Sequence, residues 1–276
     1  MIDKNALLRD MITHLILLVA VVILTVPFIW MLSGAFKDTL EVVKLPPRFL
    51  PSKYNFDNFK EIGKYFPMGR FLLNSIFVSV VTSFLQVLIC AMSAFVFAKI
   101  RFRGSGFLFM LFMITMMIPF QVTMTPLYVL FQKFNLIDTY LGLILPGIFS
   151  AYGTFLLRQH MLTIPNVLLE AAFIDGASYI RVFAKLILPL SKPALATLVI
   201  FAFMGCWNNF LWPLIIINSN ELMTLPLGLS MLTGRWATVW NVLMAGNVIS
   251  FIPIFVVYLF AQKYFIRGIT MSGVKG

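Results

Sequence analysis

The sequence predicts an all-α, polytopic membrane protein with six transmembrane helices, and three observations lead there. Of its 276 residues 61% are hydrophobic and only 11% charged, against about 25% charged in an ordinary soluble domain, so a soluble fold has no way to hide this much apolar surface. Six charge-free stretches have the length needed to cross a hydrocarbon core, about 20 residues: 15–36, 71–98, 107–132, 139–157, 193–220 and 236–262. The ten carboxylates (Asp3, Asp10, Asp38, Glu41, Asp57, Glu61, Asp138, Glu170, Asp175 and Glu221) all fall outside those stretches. The chain therefore reads as a single transmembrane domain over 1–276.

The first stretch ends in Ser33-Gly34-Ala35-Phe36, which resembles a signal-peptide cleavage site, but its 22 residues and the five spans after it favour a retained helix. The segment that follows carries Pro46, Pro47, Pro51 and Pro67, a composition that predicts turns and short helices on the membrane face. Span two has Ser75, Ser79 and Ser83 at four-residue spacing, a small-residue stripe suited to close helix packing. Span three contains Pro119 and Pro126, and span five Pro213. Each removes a backbone hydrogen bond where only neighbouring protein or a water-filled cavity can compensate.

The segment 158–192 is more than a connector. Pro165 and Asn166 offer a helix start, Asn166 to Phe173 an apolar face bearing Glu170, and Gly176 a left-handed stop. Ser178 caps a second short helix running to Leu188, where Pro189 is expected to end it. The Asp175 side chain reads more readily as a turn or cap hydrogen bond than as a contact with a partner.

Net charge is +11, and its distribution sets an orientation. With both termini in the cytoplasm, the inner segments hold Lys4, Arg9, Lys99, Arg101, Arg103, Arg158, Arg181, Lys185, Lys192, Lys263, Arg267 and Lys275. The two shorter outer loops hold only Lys133 and Arg235, as the positive-inside rule expects. The remaining basic residues lie in the long outer segment 37–70, beside Asp38, Glu41, Asp57 and Glu61. Cys90 and Cys206 fall inside spans as packing residues.

Several function classes are disfavoured. There is no G-x-x-x-x-G-K-[ST] phosphate loop, and the two histidines, His14 and His160, form no metal-binding pattern. Ion-coupled carriers usually place an ionisable residue at membrane depth, which these spans lack. No nucleophile, paired-carboxylate or metal set assembles within the lipid for an intramembrane enzyme.

The stretch Glu170-Ala171-Ala172-Phe173-Ile174-Asp175-Gly176-Ala177, followed by Phe183, Leu188, Pro189 and Pro193, resembles the EAA loop of bacterial ABC importer permeases. The Asp-Gly-Ala variant is similar to that of the carbohydrate-uptake group containing the maltose permease subunits. Met117-Ile118-Pro119, Pro126-Leu127-Tyr128, Trp207 to Pro213 and the ending Gly268 to Gly276 agree, the last resembling the smaller, MalG-type subunit. The resemblance covers essentially the whole chain. It implies a type I ABC importer permease in the inner membrane that works by alternating access, not an enzyme. It further implies a second, similar permease, two ATPase subunits that bind ATP and magnesium, and an extracytoplasmic sugar-binding protein; this chain would bind no cofactor. Glu170, Ala171, Ala172, Asp175, Gly176, Ala177, Phe183, Leu188 and Pro189 would form the ATPase-coupling element, and the tail with Gly273 and Lys275 would reach toward the ATPase dimer.

For the solute, Trp207, Asn208 and Asn209 lie near the middle of span five, where amides and an aromatic face suit a sugar. Interhelical hydrogen bonding explains the same residues equally well. Gln121, Asn241 and Asn247 are weaker candidates on the same logic. The alternatives are a glycerol-phosphate or polyol permease, an uncoupled channel or carrier, and a membrane scaffold. A phosphate would favour Lys or Arg within the spans, and there is none.

Overall fold

The computed structural model describes the backbone of residues 4–234 and 238–273, with side chains over 9–234, 238–260 and at 262. The main helices are α1 (Lys4–Gly34), α2 (Asp57–Tyr65), α3 (Met68–Lys99), α4 (Ser105–Ile114), α5 (Phe120–Lys133), α6 (Ala151–Leu162), α7 (Asn166–Ile174), α8 (Lys192–Trp207), α9 (Leu211–Ile216) and α10 (Trp240–Gly273). Among the described residues the only β feature is a single bridge between Thr233 and Thr238. Three helical stretches are long and apolar enough to cross a membrane unbroken: Arg9–Gly34, Met68–Lys99 and Trp240–Phe260.

The other expected spans are broken, and proline accounts for two of the breaks. A proline ring clashes with the carbonyl four residues earlier and drives its predecessor to extended geometry. Ahead of Pro119 the helix tightens to a 3-10 turn at Thr115–Met117, Ile118 is extended (φ −90°, ψ 112°), and α5 departs at 98°. Pro126 is accommodated inside α5. Stretch 193–220 is likewise not one helix: α8 ends at Trp207, and Asn208 to Phe210 separate it from α9. Asn209, where the break falls, is the residue four before Pro213. The fourth stretch bends by 44° between Tyr140–Gly147 and α6, and α10 continues past 262 to Gly273.

Pro189 does not end its helix. Tyr179–Val182 passes into a π-helical turn at Phe183–Ile187, and helix resumes at Leu188–Leu190. The wider π-turn makes room for the ring just where Pro189 crowds the Lys185 carbonyl. The chain then bends by 81° at Ser191 into α8.

The residues group into two compact units. In the first (1–68 with 228–252), the segment after α1 is tied by buried polar contacts. The Lys37 ammonium is buried over the Trp30 ring at 4.4 Å and donates to Arg48 O at 2.5 Å. Asn58 Nδ2 donates to Ala35 O and Lys37 O, both at 2.8 Å, and its Oδ1 accepts from Asn241 Nδ2 at 2.8 Å.

In the second unit (69–227 with 253–276) one apolar core joins Val78, Phe131, Leu143, Ile144, Trp212 and Ile216. Ser75, Ser79 and Ser83 are buried, and Ser75 Oγ accepts the Leu225 N–H at 2.7 Å. Asp138 clamps the loop after α5 to the end of α9. It accepts from the N–H groups of Asn218 (3.1 Å) and Ser219 (3.0 Å) and from Ser219 Oγ (2.9 Å). Burial alone would raise this carboxyl's pKa, but those three bonds outweigh it and hold it below the ordinary 3.8.

Two outcomes follow. A Cβ on Gly142 would lie 2.2 Å from the backbone oxygen of Leu136, whereas one on Gly106 meets nothing within 4 Å. Gly142→Ala should therefore lower the stability of the purified protein by about 1–3 kcal/mol, read as loss of thermal midpoint, with Gly106→Ala as the unaffected control. Asp138→Ala should cost about 1 kcal/mol. Because the folded carboxyl titrates below the unfolded one, the Asp138 contribution is complete above pH 3.8 and is lost as pH falls through the depressed folded value. The difference between wild type and Asp138→Ala in acid melts should shrink accordingly, and a constant difference down to the lowest pH would contradict this assignment.

Candidate functional site

Two places hold expected residues, the first a group of them and the second Asn209 alone. The first is α7 and the turn after it. Lys99 Nζ fixes the entry by donating to Ile164 O at 2.5 Å and to Asn166 Oδ1 at 2.9 Å. At the exit Gly176 has φ +78°, Ala177 N–H bonds to Ala172 O at 2.9 Å and Gly176 N–H to Phe173 O at 3.0 Å, a Schellman stop. Ser178 Oγ then accepts the Arg181 N–H at 3.4 Å and caps the next turn. Asp175 supplies the C-cap through its backbone; the expected side-chain cap bond is absent among the described residues.

The inner side of this element joins a core with α3, α6 and α8. Leu169, Val182 and Ile187 are buried with Cys90, Phe95, Leu157 and Leu198, and Ala172, Ala177, Phe183 and Leu188 pack against them. The Phe95 and Phe183 rings lie 5.4 Å apart. His160 Nε2 donates to Leu190 O at 3.2 Å. Glu170, Ala171, Asp175, Gly176 and Pro189 are exposed. So are Val167 (71%), Ile174 (86%) and Ile180 (80%), which motif reading overlooked. The signal was there: Val167 and Ile174 are seven residues apart, about two turns of one helical face, with Glu170 and Ala171 between them.

The second place is a cavity of about 220 Å³ in the second unit. It lies among α3 (Thr82, Gln86), Phe120, Gly147, the end of α8 (Gly205, Cys206), Asn209 and Trp212. Asn209 stands in the break between α8 and α9, where its Oδ1 accepts the Trp212 N–H at 3.3 Å. Trp212 is held edge-on to Phe120 and Phe131, with its indole N–H bonded to Gly142 O at 2.9 Å. Thr82 Oγ1 is buried and has no nitrogen or oxygen partner among the described residues; the weakly hydrogen-bonding Cys206 thiol is its neighbour.

The remaining expected residues scatter. Trp207 is 1% exposed, stacked on Phe203 at 5.6 Å, and does not line this cavity. Asn208 caps the end of α8 and is exposed, as are Gln121 on the first turn of α5 and Asn247 on α10. Asn241 is buried against Asn58 in the first unit, where it borders a separate polar cavity of about 600 Å³. Gly273 is the last residue of α10, and Lys275 lies outside the described residues. Thr82, Gln86, Phe120 and Trp212 were not legible as cavity residues, because nothing in their spacing marks them apart from packing positions.

The chain has clear relatives. It is 37% identical over 256 residues to the arabinooligosaccharides transport system permease protein AraQ of Halalkalibacterium halodurans, covering 91% of each chain. With the sn-glycerol-3-phosphate transport system permease protein UgpE of Pectobacterium atrosepticum it shares 33% over 271 residues, covering 95% of this chain and 96% of that one. In fold it matches a chain from a bacterial ABC transporter involved in the import of the acidic polysaccharide alginate, with a TM-score of 0.82 at 24% identity, covering 96% and 99% of the two chains. The family model for the binding-protein-dependent transport system inner membrane component matches residues 87–271, a range that contains α6, α7, the Schellman turn and the helix break at Asn209. The chain belongs to that family.

Proposed function

We propose that this chain is the permease subunit of an ATP-driven importer of a neutral sugar or oligosaccharide, cycling by alternating access, with α7 as the element that docks on a separate ATPase. The observation that carries this is α7 itself. It exposes an apolar face with one acid, while its opposite side is locked into the core shared by α3, α6 and α8. A surface connector has no need of that anchoring, whereas a coupling element must transmit displacement and therefore must be stiff. Both termini lie in the cytoplasm on this reading, as the basic residues of the inner segments support. The chain acts as one transport module beside a second, similar permease, two ATPase subunits and an extracytoplasmic binding protein. ATP and the loaded binding protein supply the differential affinity for two states that alternating access requires.

Relatives that carry arabinooligosaccharides and sn-glycerol-3-phosphate support two solute classes. The sugar reading is favoured by the cavity, since none of its lining residues is charged. Proteoliposomes of the assembled complex should take up arabinotriose in an ATP- and binding-protein-dependent manner, with sn-glycerol-3-phosphate a poor competitor. Uptake of the phosphate ester alone would replace the sugar assignment.

Glu170→Lys and Gly176→Pro should leave the protein in the membrane yet abolish coupled uptake. The first inverts the docking charge, and the second forbids φ +78°. Normal ATPase stimulation and uptake in both variants would remove α7 from the coupling role. Truncation after Arg267 shortens α10 and deletes the tail. It should reduce binding-protein-stimulated ATPase activity without affecting membrane insertion, and equal stimulated rates would make the tail a passive terminus.

A further inference from the structure

The cavity beside Asn209 has a feature that packing does not explain. Three uncharged polar side chains, Thr82, Gln86 and Asn209, converge on it from two elements. Thr82 Oγ1 is buried with no nitrogen or oxygen partner among the described residues and only the weakly hydrogen-bonding Cys206 thiol beside it. Asn209 commits its Oδ1 to the Trp212 N–H, which leaves Nδ2 as a free donor. Gln86 is half-buried, and its side chain makes no hydrogen bond among the described residues. The rings of Trp212 and Phe120 line the same cavity, the first with its own N–H engaged at Gly142, so it offers carbon surface alone.

We propose that this cavity is a solute subsite within this subunit, taking one uncharged sugar residue, with Thr82, Gln86 and Asn209 hydrogen-bonding its hydroxyls and Trp212 and Phe120 flanking its ring. The proposal rests on the sugar-permease reading above and adds the place and the residues. Size, chemistry and position agree. A space of about 220 Å³ accommodates one sugar ring. Hydroxyls both donate and accept, which suits a set made of one hydroxyl and two amides. The absence of Lys, Arg, Asp and Glu from the lining gives a phosphate or carboxylate no counter-charge. Non-helical backbone at Asn208 to Phe210, within a stretch of this apolarity, is tolerated where it lines a cavity.

The test uses the full complex with its partner subunits in proteoliposomes, and three radiolabelled probes: arabinotriose, maltotriose and raffinose. Thr82→Val keeps the shape and removes the hydroxyl, Thr82→Ser restores the hydroxyl, and Gln86→Leu alters a half-buried position that tolerates change. Assembly is checked by co-purification. Thr82→Val or Gln86→Leu should shift the relative uptake of two of the sugars by about tenfold, and Thr82→Ser should return the ranking toward wild type. An unchanged ranking in the assembled variants, with wild-type uptake intact, overturns the subsite and leaves the sugar-permease reading standing. Should Thr82→Val fail to assemble, Gln86→Leu decides by the same criterion. A wild-type complex that transports none of the three sugars but does carry sn-glycerol-3-phosphate overturns the sugar reading and the subsite with it.

Discussion

An unpaired backbone N–H or C=O in hydrocarbon costs several kcal/mol, and this constraint orders the rest of the molecule. Arg9–Gly34, Met68–Lys99 and Trp240–Phe260 meet it in the simplest way, as unbroken helices. The other helical segments do not, and several backbone N–H groups left free near their ends are taken up by side chains. Asp138 takes up the free N–H groups of Asn218 and Ser219 beyond α9. Asn209 Oδ1 takes that of Trp212 at the start of α9, and Ser75 Oγ that of Leu225. At these places a polar side chain reaches the irregular backbone, and one of them also borders the cavity.

Much of this was legible from composition and proline position. The apolar stretches located the helical segments, because length and absence of charge are direct readouts of the solvent a helix faces. The stop at Gly176 was legible because a positive φ leaves glycine nearly alone as a candidate. The consequences of proline were legible in kind but not in place. Pro119 and Pro213 lie downstream of a break, Pro126 causes none, and Pro189 rides through a π-turn. A proline perturbs the carbonyl four residues earlier, and whether the helix breaks there depends on what neighbours supply, which is tertiary information.

The residues expected on a solute path illustrate the same limit more sharply. Trp207, Asn208 and Asn209 are adjacent in sequence, yet one is core, one is an exposed cap and one faces a cavity. On a continuous helix Asn208 and Asn209 would sit about 100° apart and at most one would face any given space. The break changes that geometry and frees Asn209 to cap α9. Thr82 and Gln86, one helical turn apart on α3, could not have been chosen from the sequence. Their significance comes from the cavity they border, which only the packed structure reveals.

The exposed helix and the cavity are joined by continuous packing. Leu169 of α7 and Val182 and Ile187 of the following segment share a core with Leu198 of α8. That helix runs 16 residues, about 24 Å at the helical rise, from the bend at Ser191 to Trp207, and the cavity opens at its far end beside Cys206 and Asn209. A close-packed interior transmits strain instead of absorbing it, and the shared core leaves no gap between the inner side of α7 and the base of α8. At the far end of α8 the helical ladder is interrupted, with Asn209 N–H turning to Cys206 O and Asn209 Oδ1 taking the Trp212 N–H before the Leu214 N–H to Phe210 O bond resumes it in α9. α8 thus connects the anchored α7 element to the backbone break that borders the cavity. The anchoring of α7 and the helix break beside Asn209, which look unrelated in sequence, lie at the two ends of this one helix.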